Sequence, residues 1–176
     1  MKIQPEGELE CLCSPAIWAE GPVWLPEENA VVFSDVKGNR MFHWSRKHGV
    51  RLWRAFSHYA NGNARDQAGR VISCEHGRRG ISRTEPDGEI TLLVDKVDGK
   101  RFNSPNDVVV RSDGTIWFTD PPYGIISDDE GYKAESQVVL RGQCIDLYLS
   151  RVERAFLIIR YGVFACGVCV PGSFVF

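Results

Sequence analysis

Short apolar runs return along this chain at even spacing, each closed by a turn cluster, and no stretch of ten or more residues carries a clean helical period. From Gly21, the stretch GPVWLPEENAVVFSDVKGNRMFHWSRKHGVRLWRAF divides into four strands at the turns PEEN, KGN and RKHG. The runs NARD, VISCEH, ISRTE and ITLLVD, divided by QAGR, GRRG and PDGE, repeat that grammar. A third unit opens with DVVVR and TIWFTD, and there the pattern fails. A repeated four-stranded unit of about 40–45 residues is the mark of a propeller blade, so the expected class is all-β, with sheets stacked radially around a channel.

Aligned on their turns, the units place Glu20, Asn61 and Asn106 at one position just ahead of the first strand, spaced by 41 and 45 residues. A blade's first strand is its innermost, so these three side chains are expected to meet at the channel mouth. Asn106 and Asp107 are poor strand formers set against Val108-Val109-Val110, which makes sense if they line a polar site instead of extending the strand. Carboxylate and amide oxygens around one centre suit a hard divalent cation, Ca²⁺ ahead of Zn²⁺. Taken singly, each residue reads more readily as an Asx turn or a solvated loop. Turn chemistry alone, however, does not demand an oxygen ligand at the same phase of three repeats.

Composition narrows the partners. The chain has 176 residues, of which 43% are hydrophobic and 25% charged, enough for one real core. A formal net charge of −2 supplies no basic field, so neither nucleic acid nor an anionic membrane is the expected partner, and a small molecule is. The opening MKIQPEGELECLC carries three glutamates and no apolar run, which excludes a secretory signal there and makes the cytoplasm the expected compartment. In that reducing setting the six cysteines are expected as thiols, and Cys166-x-x-Cys169 has no second pair to complete a zinc site.

The segments WAEGPVW (18–24), YANGNARDQAGRVISCEHG (59–77) and RFNSPNDVVVRSDGTIWFTDPPYG (101–124) resemble the gluconolactonase, regucalcin and luciferin-regenerating-enzyme family over roughly residues 10–137. The resemblance implies a six-bladed propeller, of which this chain encodes about two and a half blades. It also implies metal-dependent hydrolysis of a sugar lactone or related ester. On the matching motifs it makes Glu20 and Asn106 metal ligands, and Asn61, His58 and Asn106 substrate-binding residues. Asp107 and Asp120 become the catalytic carboxylates at the same mouth. The alternatives are a propeller used only as a binding scaffold, or an inactive truncated piece of the lactonase.

Some residues have a bland reading beside the functional one. His76, Arg78 and Arg79 form a basic turn that would hold an anionic substrate group or simply be solvated. Trp24, Trp53 and Trp117 fall in strands and are expected in the packing between blades.

The expected organisation is a partial propeller over residues 1–137 and an atypical tail over 138–176. The tail abandons both the repeat grammar and the resemblance, and a reading-frame shift near Gln137 explains it. Joining the third base of each codon to the first two of the next permits Val-Tyr-Arg-Phe-Val-Pro-Glu-Ser-Gly from Gln143 onward. That string is similar to ISRTEPDG at 81–88.

Overall fold

The structure, a computed structural model, describes residues 11–135 together with the backbone of two later strands. Strands β1 (Ala19–Leu25), β2 (Ala30–Asp35), β3 (Arg40–Ser45) and β4 (Gly49–Ala55) pair antiparallel in chain order as one four-stranded sheet. Strands β5 (Ala60–Arg65), β6 (Val71–Glu75), β7 (Gly80–Thr84) and β8 (Ile90–Val94) form the second sheet in the same order. A small hairpin of β9 (Lys96–Val97) and β10 (Lys100–Arg101) leads to the third sheet. Its strands are β11 (Val108–Val110), β12 (Ile116–Thr119), β13 (Cys144–Leu149) and β14 (Ala155–Arg160). One short helix, α1 (Tyr123–Ile126), follows β12.

The turns read from the sequence close these hairpins. Glu28 N–H bonds Leu25 O, Asn39 N–H bonds Val36 O, and Gly69, Gly88 and Gly114 do the same three residues back in later units. Asn29 and Asn39 both take φ 49°, a left-handed conformation that asparagine tolerates better than most side chains. The third sheet departs from the sequence expectation of a half-built unit, because its two outer strands come from the segment without repeat grammar. Backbone pairing of Thr119 with Cys144 and of Cys144 with Arg160 sets their register.

Adjacent sheets share apolar layers. Val23, Val32 and Met41 of the first sheet pack with Ala60 and Val71 of the second, with Trp53 partly buried against them. On the opposite face of the second sheet, Ile72, Cys74 and Ile81 pack with Phe102, Val108 and Phe118. The innermost strands β1, β5 and β11 therefore lie side by side around one axis. Gly21 and Gly62 allow this approach. A Cβ on Gly21 would stand 2.1 Å from Asn61 O, and one on Gly62 would stand 2.6 Å from Asn106 O.

The outer face of the first sheet is apolar as well. Cross-strand register puts Trp24, Val31, Trp44 and Val50 in one row and Phe33, Phe42 and Leu52 in the next, and Trp24 is 49% exposed. Trp24, expected in the packing between blades, lies on the face turned away from the second sheet and makes no such packing with it. Trp117 is half-buried, with its indole Nε1 unpartnered among the described residues.

Candidate functional site at the inner-strand mouth

Glu20 and Asn61 sit inside β1 and β5 instead of ahead of them, but at the point where each strand leaves register. Pairing breaks between Glu20 and Val23 and again between Ala60 and Asn63. A bulge there re-aims the side chain away from the ladder, which is what a mouth-lining residue requires. Asn106 and Asp107 do precede β11, as their poor strand propensity predicts.

Polar cross-links fix these strands to one another. Gly62 N–H bonds Asn106 O at 2.7 Å, and Ser34 Oγ donates to Asn61 O at 2.7 Å. The Asn63 amide nitrogen donates to Gly21 O and to Ser34 Oγ, both at 2.8 Å, while Ser73 Oγ donates to its Oδ1 at 2.6 Å. The relative placement of these segments is therefore set by hydrogen bonds across the inner strands, backbone and side chain alike.

His76 joins two of these residues. Its Nε2 stands 3.2 Å from Asn106 Nδ2 and 3.5 Å from Asn61 Nδ2, and its Nδ1 stands 2.9 Å from Glu130 O. The ring is fully buried, and that burial holds its pKa down to about 4, so it is neutral at physiological pH. The sequence reading treated His76 as part of a basic turn. A comparison of the second strands would have singled it out, because it directly follows a buried carboxylate that ends β6.

Those carboxylates recur. Asp35 ends β2, Glu75 ends β6 and Asp120 follows β12, and all three are buried. Asp35 Oδ1 accepts the N–H groups of Ile17 and Trp18, each at 2.9 Å. Asp120 accepts Asn103 N–H at 2.8 Å and Ser104 N–H at 2.9 Å. Burial pushes the Asp120 carboxyl up to about 6 against these bonds and the nearby Arg79. Glu75, one methylene longer, turns instead to Arg54 at 2.6 Å and to the Ser82 hydroxyl.

The other expected residues are placed as follows. Asp107 is exposed and leans over Gly62, whose would-be Cβ meets Asp107 Oδ1 at 2.7 Å; this oxygen also accepts Val108 N–H. Glu20 is exposed, and Trp18 Nε1 donates to its Oε1 at 3.2 Å. Lys37 sits over the Trp18 ring at 5.0 Å. Burial raises the Glu130 carboxyl, with Lys37 opposing the rise and Asp129 and Glu20 adding to it. His58 is not gathered with Asn61 and Asn106. Its ring lines a groove with Trp53, Phe56 and Arg78, where burial and Arg78 depress its pKa. Arg79 turns inward, and its Nε donates to Phe102 O.

The donor set fits a hard cation. Glu20 offers a carboxylate, Asn61 and Asn106 offer amide oxygens, and the one imidazole nearby has its Nε2 engaged by an amide. Among the described residues, no group of three or more His, Cys, Asp or Glu side chains could hold a metal ion, so an ion at this mouth would rest on one carboxylate and on amide oxygens, a set closer to hard-cation than to zinc ligation. Cys11, Cys13 and Cys74 are free thiols, and burial raises the Cys74 pKa; Cys166 and Cys169 lie outside the described residues.

Radial four-stranded sheets with their inner strands converging on a polar mouth define a propeller-type protein. The chain belongs to the family described as the SMP-30/Gluconolactonase/LRE-like region, which matches residues 18–152. It is 35% identical to a gluconolactonase of Zymomonas mobilis over 136 residues, which covers 69% of this chain and 38% of that protein. A solved gluconolactonase of Xanthomonas campestris is 40% identical, with TM-score 0.74, over 77% of this chain and 45% of that one. A calcium-binding regucalcin of Agrobacterium tumefaciens shares the fold at 15% identity and TM-score 0.53. The chain thus spans less than half the length of these gluconolactonases, and three sheets in that span agree with a six-bladed whole.

Proposed function

We propose that the mouth formed by Glu20, Asn61 and Asn106 serves the hydrolysis of a sugar lactone or related ester with a divalent metal ion, Ca²⁺ in first place. The observation that carries this reading is the convergence of two asparagine amides from different sheets on one buried imidazole, with the Glu20 carboxylate at the same phase of the repeat. Glu20 and Asn106 would hold the ion, and a bound ion would polarise the lactone carbonyl and steady the oxyanion that forms on it. Asn61 orients the substrate beside it. Asp107, exposed at the mouth, takes the proton from the attacking water as the new C–O bond forms, and returns it to the ring oxygen as the ester C–O bond breaks. Asp120 has both oxygens committed to backbone N–H groups, so its part is to hold the segment that carries Asn106.

A second reading is an inactive piece of such an enzyme, favoured by the length of the chain relative to its gluconolactonase relatives and by the apolar face left open on the first sheet. A small-molecule partner and a cytoplasmic setting complete the proposal, in keeping with the free thiols; no helix among the described residues is long and apolar enough to cross a membrane. Calorimetric titration with Ca²⁺ followed by a pH-stat assay on gluconolactone tests it. Metal binding with turnover supports the hydrolase. Binding without turnover supports the inactive piece, and no binding removes the metal reading.

A further inference from the structure

An asparagine amide can turn by half a rotation about its last bond at little steric cost, exchanging its oxygen for its nitrogen. Which atom faces a site is therefore decided by hydrogen-bond partners. At this mouth the partner is His76, and its own state is fixed from the other side. A carbonyl oxygen cannot donate, so the 2.9 Å contact between Nδ1 and Glu130 O requires the proton to be on Nδ1. In the neutral ring this leaves Nε2 bare, able only to accept. An amide that approaches a bare nitrogen must bring its N–H. Asn106 Nδ2 does so at 3.2 Å, and Asn61 Nδ2 stands at the longer distance of 3.5 Å. Each amide oxygen is then directed away from His76.

The segment after β12 holds the ring in this state. A Cβ on Gly124 would stand 2.5 Å from the His76 Cβ, and one on Gly131 would stand 2.0 Å from Gly124 O, so the two glycines let the loop close down on the imidazole. Ala134 N–H bonds Ile125 O at 3.0 Å, and Tyr132 meets Tyr59 edge-on with ring centroids 5.4 Å apart. These contacts anchor the loop and with it Glu130 O.

We propose that His76 is a positioning residue. Held by Glu130 O through Nδ1–H, its bare Nε2 makes Asn61 and Asn106 present amide oxygens, and not NH₂ groups, to a hard divalent cation. The role rests on the metal reading given above. Partners that orient a ligand in this way typically change metal affinity by about 10–100-fold when removed.

Two measurements on the full 176-residue chain test it. Nitrogen-15 spectra of the histidine rings in chelator are expected to show His76 with Nδ1 protonated and Nε2 bare. Calorimetric Ca²⁺ titration is expected to show His76→Phe, which keeps ring volume but accepts no hydrogen bond, at least about tenfold weaker than the parent. His76→Gln, whose Oε1 accepts from the amides while its NH₂ reaches Glu130 O, should stay within about threefold by the same reasoning. If His76→Phe does not fold, His76→Met takes its place as the flexible apolar variant. An Nε2–H tautomer overturns the positioning role even where Ca²⁺ binds. Equal weakening in His76→Phe and His76→Gln, or none in His76→Phe, does the same. Absence of Ca²⁺ binding by the parent instead overturns the metal reading, and with it the destination assigned to the two oxygens.

Discussion

Asp35 and Asp120 do the same work at one position of the repeat: each accepts the backbone N–H groups of two successive residues on the segment that enters its sheet's innermost strand. Those residues, Ile17-Trp18 and Asn103-Ser104, lie at matching distances ahead of Glu20 and Asn106. A buried carboxylate thus sets where Glu20 and Asn106 begin, while Glu75 of the second unit turns to Arg54 and Ser82 instead. Removing it leaves two N–H groups unsatisfied, at about 1–3 kcal/mol each where they are buried.

The ionisation of Asp120 gives a pH prediction. Its folded pKa is raised to about 6 from 3.8, so its contribution to stability is present at low pH and is lost as pH rises through 6. His76 runs the other way. Its folded pKa is lowered to about 4 from 6.5, so its contribution is present above 6.5 and is lost as pH falls toward 4. Between about 4 and 6 the two slopes oppose, each worth roughly 3 kcal/mol across its window at 1.36 kcal/mol per pKa unit. In chelator, Asp120→Asn should lose more stability than the parent on going from pH 6.5 to 4, and His76→Gln should lose less. Urea midpoints measured against pH give the differences, since other carboxylates contribute alike to all three chains. Three parallel curves would show that neither group titrates as described.

Gly62→Ala should be among the costliest small substitutions. The added methyl would stand 2.6 Å from Asn106 O and 2.7 Å from the Asp107 Cα, both backbone atoms of the segment that leads into the neighbouring inner strand. Overpacking of this kind costs about 1–3 kcal/mol, and relief requires Asn106 to move away from Asn61. A denaturation midpoint shifted by less than about 0.5 kcal/mol, the range of ordinary surface changes, would mean that the inner strands are not locked together as described.

Much of this architecture was legible in the sequence because turn chemistry is local. Asn29, Asn39, Gly69 and Gly114 announce their hairpins whatever surrounds them, and the repeat phase of Glu20, Asn61 and Asn106 follows from counting between turns. What could not be counted is contact across sheets. His76 becomes a partner of Asn61 and Asn106 only once β5, β6 and β11 are stacked, and its neighbour Glu130 lies in a loop without repeat signature. The mouth positions of Glu20 and Asn61 likewise depend on bulges, which leave little trace in a short strand. His58 illustrates the converse: it lies close to Asn61 in sequence, yet its ring turns to a different groove.

Glu20→Gln removes the carboxylate from the in-phase trio and should weaken Ca²⁺ binding by about tenfold or more, as for one lost charged ligand. Asn106→Ala should lower gluconolactone turnover, wherever turnover is present, by a larger factor than it lowers stability. Titration calorimetry and melting curves on both variants separate the cases. Unchanged Ca²⁺ affinity in Glu20→Gln removes this glutamate from the ligand set, while a melting temperature that collapses with Asn106→Ala makes Asn106 a turn residue first.

The open face of the first sheet predicts self-association of this chain. Leu52 is 57% exposed and Trp24 is 49% exposed on a face with two apolar rows, although Phe42 in the middle of that face is buried, with Arg40 over its ring. Such a patch is an association site in a monomer. Light scattering across a concentration series should show growing species, and Trp24→Lys with Leu52→Lys should suppress them at little cost in stability, since both side chains are already half in water. Association undiminished by the pair of substitutions would place the contact elsewhere.

The tail yields the last prediction, and it separates two accounts of the third sheet. The strands Cys144–Leu149 and Ala155–Arg160 supply its outer half, and the family match runs to residue 152, yet the apolar run after Arg160 carries no Asp-Gly pair like Asp87-Gly88, Asp98-Gly99 and Asp113-Gly114. We propose that the coding frame shifts near Gln137, so that the strands now encoded replace others better suited to the same places. The shifted reading permits Val-Tyr-Arg-Phe-Val-Pro-Glu-Ser-Gly, a strand and a Pro-to-Gly turn one residue longer than Pro86-Asp87-Gly88, at the place where a third strand of the unit belongs. The expected outcome is that the coding DNA, read one base out of register, continues into further blade-like units of about 40–45 residues each. A protein expressed from the corrected frame should then hydrolyse gluconolactone and remain monomeric at concentrations where the present chain associates, because a following blade would cover the third sheet and a closing one the Trp24 face. A DNA sequence whose shifted frame meets a stop within the third unit, or lacks blade-like repeats, would sink the idea and leave the present tail as the natural edge of the third sheet.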